Sequence, residues 1–445
     1  MSMLPQSKGL PWIFLALSCV SILTLPVLFF TVTRPAQYTY SLIAGDQGSL
    51  YAFDGANLQR ISVPTTENLT DVEWRHDGAY ALITGTGGTL LKYDGSTVER
   101  VAAALGANTT LKAVSWKPDD SEALVVGSNR TLDTPYSTSP TSHGIIFSYD
   151  GQRLTRLENS KFLGYDSVDW SPSGTYALLA GYSTESFFHG FAAKFDGVQL
   201  SPITLSNNNS LNTVAWQPNR DFALFGGDAS NQILNATLYN YDGKSENMTL
   251  QDTAISTRQG CCFTNDAHTI RNIFFSADGR GMIVGNKGLT IIINQQGTMS
   301  RIRSYTALNG TIIDLHHVGD FYSSRWVPGK NAAYAVGTNS TIVKISETTV
   351  VEISQASTHA TFRSISMTVR NGQLHEDGYT YAALETTTPT TLLAQSFQSL
   401  TGFWASHSQT LLIIIIVGIL MIVLIDGLLP SSSKVAYKEH RPRLE

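Results

Sequence analysis

The sequence is poor in the residues that most often carry chemistry. Of its 445 residues only three are cysteine, Cys19, Cys261 and Cys262, too few for a disulfide scaffold or a Cys-rich metal cluster. Charged residues make up 15% of the chain against the ~25% usual in soluble proteins. The formal net charge of −5 argues against a general binder of nucleic acid. The chain has no G-x-S-x-G or P-loop, no H-E-x-x-H and no G-x-G-x-x-G in a usable context. Nothing therefore nominates a catalytic residue, a metal ligand set or a cofactor. Uncharged polarity takes the place of charge, with 92 serines and threonines.

Two long apolar runs bracket the rest. Residues 10–33 contain an uncharged stretch from Leu10 to Val32, long enough to cross a hydrocarbon core of about 30 Å as a helix. It exceeds the apolar region of a secretory signal and lacks a small-x-small cleavage site, so a retained anchor is expected. Residues 404–429 form the second run, with Trp404 at its start and Lys434, Lys438, Arg441 and Arg443 beyond it in the tail 430–445. The positive-inside rule then puts the tail and residues 1–9 in the cytoplasm, and 38–385 outside the membrane. The Thr-rich segment 386–403 reads as a stalk. Sequons fall at Asn68, Asn108, Asn129, Asn208, Asn235, Asn247, Asn309 and Asn339, all in the outer region, as candidates for N-glycosylation.

That region is a repeat. DVEWRHDGAYALITG around Trp74 aligns with AVSWKPDDSEALVVG around Trp116, SVDWSPSGTYALLAG around Trp170, TVAWQPNRDFALFGG around Trp216 and SSRWVPGKNAAYAVG around Trp326. Phe275 takes the same place in NIFFSADGRGMIVG. The separations of 42, 54, 46, 59 and 51 residues lie in the range of propellers and solenoids. A further strand closes on Asp-Gly at Asp54, Asp94, Asp150, Asp196 and Asp242, which supplies the positive φ of a tight hairpin. Each unit is thus a four-stranded meander that hides its faces only by stacking on its neighbours through Trp and Tyr.

The pattern resembles the WD40-like and TolB-type β-propeller repeats, with Trp170-Ser171-Pro172-Ser173-Gly174 as the best match to their W-[ST]-P-[DS]-G turn. The resemblance implies an all-β propeller over roughly residues 38–400. It carries over no functional residue, since the Trp-Asp, YWTD and Asp-box signatures are missing. Unit one lacks its tryptophan strand, so Ser364 onward is expected to complete the first blade of a seven-bladed ring. If Tyr379 to Phe397 form a whole blade, the ring has eight.

Three local features remain. The Asp-Gly aspartates read as turn formers, although a ring of them would bind a cation. Asp314 with His316 and His317 is the best metal-like group, since Asp314 and His316 would share a strand face. Cys261-Cys262 sits in a long connection, as a structural or intermolecular disulfide or as a vicinal one at a ligand site, like that of quinone-cofactor propeller dehydrogenases, whose tryptophan-docking repeat is missing here. The outer region holds 24 basic and 32 acidic residues, a net charge of −8, which disfavours nucleic acid and anionic lipid as partners. The expected function is a membrane-anchored extracytoplasmic receptor, adaptor or complex subunit that binds protein or glycan. The alternatives are an assembly factor, for which Pro26 and Asp426 in the spans would matter, and an enzyme whose site is spread over several blades.

Overall fold

The computed structural model describes residues 37–101, 105–131, 141–185, 189–206, 209–218, 220, 222–229, 236–245, 248–250, 268–355 and 359–371. All of them belong to the first of two compact units, Met1–Leu384; Glu385–Glu445 form the second. Both apolar runs, the stalk, the two ends of the chain, Cys261, Cys262, Asn208, Asn235 and Asn247 lie outside the described residues. Among the described residues no helix is long and apolar enough to cross a membrane.

The Trp-centred repeats fold as antiparallel meanders. Seven sheets form, each with four strands running outward from the middle of the ring, and one of them carries two more at its outer edge. The innermost strands are Phe362–Asn371 in blade 1, Leu69–Trp74 in blade 2, Thr109–Trp116 in blade 3 and Leu163–Trp170 in blade 4. Leu211–Trp216, Ile270–Phe275 and Phe321–Trp326 serve blades 5, 6 and 7. They touch one another in that cyclic order and the circle closes between blades 7 and 1, which excludes an eighth blade. Blade 1 joins the first and last described strands: Phe362–Asn371 pairs with Gln37–Gly45, with Gln37 opposite Asn371.

Seven apolar clusters hold the ring, one at each junction between blades. The aromatic that ends an innermost strand fills each of six. Trp74 packs edge-on against Tyr40 of blade 1, Trp116 against Tyr80 of blade 2 and Trp216 against Tyr176 of blade 4. Trp170, Phe275 and Trp326 occupy the equivalent places and are buried like them. At the seventh junction Met367 stands where the others have an aromatic. Burying side chains of this size contributes most of the stabilisation available to so small a sheet.

One glycine recurs for a steric reason. It lies in the second strand of every blade, as the last residue in blades 1, 2, 6 and 7 and within the strand in blades 3, 4 and 5, and a Cβ built at Gly127, Gly181, Gly227 or Gly285 would sit 2.0 Å from a carbonyl oxygen of the innermost strand or the residue before it. That close approach goes with a β-bulge. In all seven blades the register slips just there, as between Leu69 and Asp71 or Phe321 and Ser323, so one residue of each innermost strand has no opposite number.

Candidate functional site: the central channel and its mouths

The innermost strands have no strand on their inner side, so their inward N–H groups need other partners. Side chains of the neighbouring blade provide them. Three places before the terminal aromatic stand Asp71, Ser167, Thr213, Asn272 and Ser323. Asp71 accepts from Val114 N–H at 3.0 Å, Ser167 from Val214 N–H at 3.2 Å and Thr213 from Ile273 N–H at 3.2 Å. Asn272 accepts from Ser324 N–H at 3.0 Å and Ser323 from Ile365 N–H at 3.3 Å. Ser364 closes the circle by donating to Asp71 at 2.7 Å. Blade 3 has Ala113 at this place, and there Ser115 reaches Asp169 of blade 4 instead, at 3.4 Å. Asp169 also accepts from Trp216 N–H at 2.8 Å. The channel's polarity is therefore engaged in joining blades.

Two of these carboxyls are strongly perturbed. Burial pushes Asp169 up to about 7, against a lowering by the Trp216 N–H bond. Burial, reinforced by the charge of Glu73, pushes Asp71 up to about 6. Arg325 pairs with Glu73 at 2.9 Å and lies over the Phe274 ring at 4.5 Å, so one cation faces three carboxyls.

The bulges turn a second ring of side chains toward one mouth: Thr70, Lys112, Asp166, Asn212, Arg271, Tyr322 and Arg363, the residues skipped in the pairing. Most reach the next blade. Thr70 donates to Leu111 O at 2.6 Å, Lys112 pairs with Asp166 at 3.4 Å and Asn212 donates to Ile270 O at 3.0 Å. Arg271 and Arg363 both lie against the Tyr322 ring, at 5.6 and 4.5 Å, and Arg363 is held by both oxygens of Asp46. At the opposite mouth a cavity of about 510 Å³ opens between blades 6, 7, 1 and 2, walled by Glu73, Phe274, Arg280, Arg325, Trp326 and Met367. Arg280 covers the Trp326 ring at 4.4 Å and is fixed by Asp278 at 2.9 Å.

The residues singled out from sequence are distributed rather than gathered. The aspartates of the five Asp-Gly pairs stand one each in blades 1 to 5, in the turns between third and fourth strands. Asp54 Oδ1 accepts from Ala56 and Asn57 N–H, and Asp150, Asp196 and Asp242 repeat the pattern. Such bonds hold Asp94 and Asp242 down to about 2. They are turn formers and do not ring the channel. Asp314 ends a strand while His316 lies in the 3-10 turn Leu315–His317, so the shared strand face expected for them does not exist. Among the described residues no cluster suited to a metal ion forms. Asn68, Asn108, Asn309 and Asn339 are exposed. Asn129 instead sits within Ala123–Thr131, paired on both sides, to Thr109 and His143.

The pairing and closure define the chain as a seven-bladed β-propeller of four-stranded blades. No family model and no curated protein matches it. Among solved structures it is similar to "YCF48 bound to D1 peptide", at 12% identity over 70% of this chain and 94% of that one, with a TM-score of 0.44.

Proposed function

We propose that this protein is a membrane-anchored propeller that binds a protein or glycan partner outside the cytoplasm, as a receptor, adaptor or subunit of a membrane complex. The observation that supports it best is how the channel's polar groups are used. The groups in which a dispersed active site would be sought are spent on satisfying strand edges across blade junctions, while the loops around the rigid ring remain for recognition. The two apolar runs and the basic tail support the anchoring, and the exposed sequons agree with it.

The test is gentle detergent extraction of the native membrane and capture through the tail 430–445, followed by mass spectrometry of co-purifying proteins and glycopeptides. A stoichiometric partner with sugars on Asn68 is the expected result. A lone, unglycosylated protein would sink the proposal. Asp426→Leu tests the rival role as an assembly factor acting through its spans: unchanged complex formation is expected here, and its loss would favour the rival.

A further inference from the structure

We infer that Asn309 carries an N-linked oligosaccharide that covers an apolar hairpin at the outer edge of blade 7; this rests on the extracytoplasmic placement proposed above. Among the described residues blade 7 alone is extended by two strands. Ser304–Thr306 runs parallel to Val350–Gln355 and pairs with Ile312–Asp314, the outermost strand of the sheet. Successive side chains of a strand point to opposite faces, so Ile312 at 70% and Ile313 at 37% exposure leave apolar surface on both. Leu308 beside them is 56% exposed. These are three of the six large apolar side chains most exposed among the described residues. An apolar edge of this kind is a template for pairing with another chain and is normally blunted.

The tip of the hairpin carries the means. Asn309-Gly310-Thr311 is a sequon on an exposed turn, and Thr311 N–H donates to Asn309 Oδ1 at 3.0 Å. The amide oxygen is thereby held to the backbone, while Nδ2 is left for reaction. Gly310 has φ +81 and nothing within 4 Å of a Cβ built on it, so the tip stands clear of the ring. Asn129 differs: its Oδ1 is buried and its strand is paired on both sides. In the transfer, Asn309 Nδ2 attacks the anomeric carbon of a lipid-pyrophosphate-linked oligosaccharide. The N–C bond forms as the C–O bond to phosphate breaks; the lipid pyrophosphate leaves with the electron pair and the amide gives up one proton.

The full-length chain, expressed through a eukaryotic secretory pathway and purified in detergent, is digested and the peptide 304–325 is weighed before and after removal of N-glycans. Thr311→Ala abolishes the sequon without touching Asn309, and Thr311→Ser keeps it. Expected are a glycan on that peptide, a bare Asn129, and a shift of Thr311→Ala to concentration-dependent self-association that adding Ile312→Lys reverses and Thr311→Ser does not show. A bare 304–325 peptide beside glycosylated Asn68 or Asn339 overturns this inference and leaves the topology standing. Bare sequons throughout overturn both. An occupied Asn309 whose loss leaves the protein monodisperse overturns the covering role.

Discussion

Replacing Asp169 by asparagine is expected to make the ring more stable at pH 8 and no more stable at pH 4. Asp169 ionises near its ordinary 3.8 when the chain is unfolded and at about 7 in the folded ring. Between those values the folded state holds a proton that the unfolded state has released, so stability falls as pH rises through this window and stays reduced above it. At 1.36 kcal/mol per pKa unit the displacement amounts to about 4 kcal/mol. Asp169 is partly open to the channel, and screening there reduces the expected effect to about 2 kcal/mol. Asp169→Asn removes the charge and keeps an oxygen for Trp216 N–H, which Asp169 accepts at 2.8 Å. Urea unfolding of the purified chain, followed by tryptophan fluorescence from pH 4 to pH 8, should show a flatter stability curve for the variant, the two curves meeting near pH 4. A variant as pH-dependent as the parent, or less stable than it at pH 8, would refute the reasoning.

Other substitutions probe the remaining layers. Gly285→Ala drives a Cβ to 2.0 Å from Thr269 O and should cost at least about 2–3 kcal/mol in the same urea assay, as overpacking against backbone does. Trp216→Ala empties the junction between blades 4 and 5 and should lower stability by about 3–5 kcal/mol; a loss under about 1 kcal/mol would deny the aromatic its packing role. Arg325→Met leaves Glu73, Asp71 and Asp169 without their facing cation, so it should destabilise by about 2 kcal/mol at pH 8 and less at pH 5, with Glu73→Gln restoring most of the loss.

The blades could be read from sequence because their punctuation is local: an aromatic, a turn, a strand ending in glycine and an Asp-Gly hairpin. Closure was also legible, since unit one lacked the strand that Phe362–Asn371 supplies. The channel was half legible. The alignment around tryptophan already stacked Asp71, Ser167, Thr213, Asn272 and Ser323 in one column, but their purpose is to bond the next blade and appears only when the ring is closed. The second ring escaped notice because a bulge is a property of register between strands, and no residue type announces it. The extra hairpin is not announced by the sequence because strands as short as Ser304–Thr306 and Ile312–Asp314 carry too little alternation to stand out. Asp314 and His316 would share a face only in a strand that continues past Asp314, where the chain instead turns.

The central claim is that a closed seven-bladed ring stands outside the cytoplasm with the basic tail inside. Protease treatment of sealed, right-side-in microsomes carrying the full-length chain tests it most directly. The account predicts loss of epitopes within 430–445 and protection of a fragment containing residues 37–371, which becomes digestible only when detergent opens the vesicles. Digestion of the propeller in intact vesicles, or release of the chain by an alkaline carbonate wash, would contradict it.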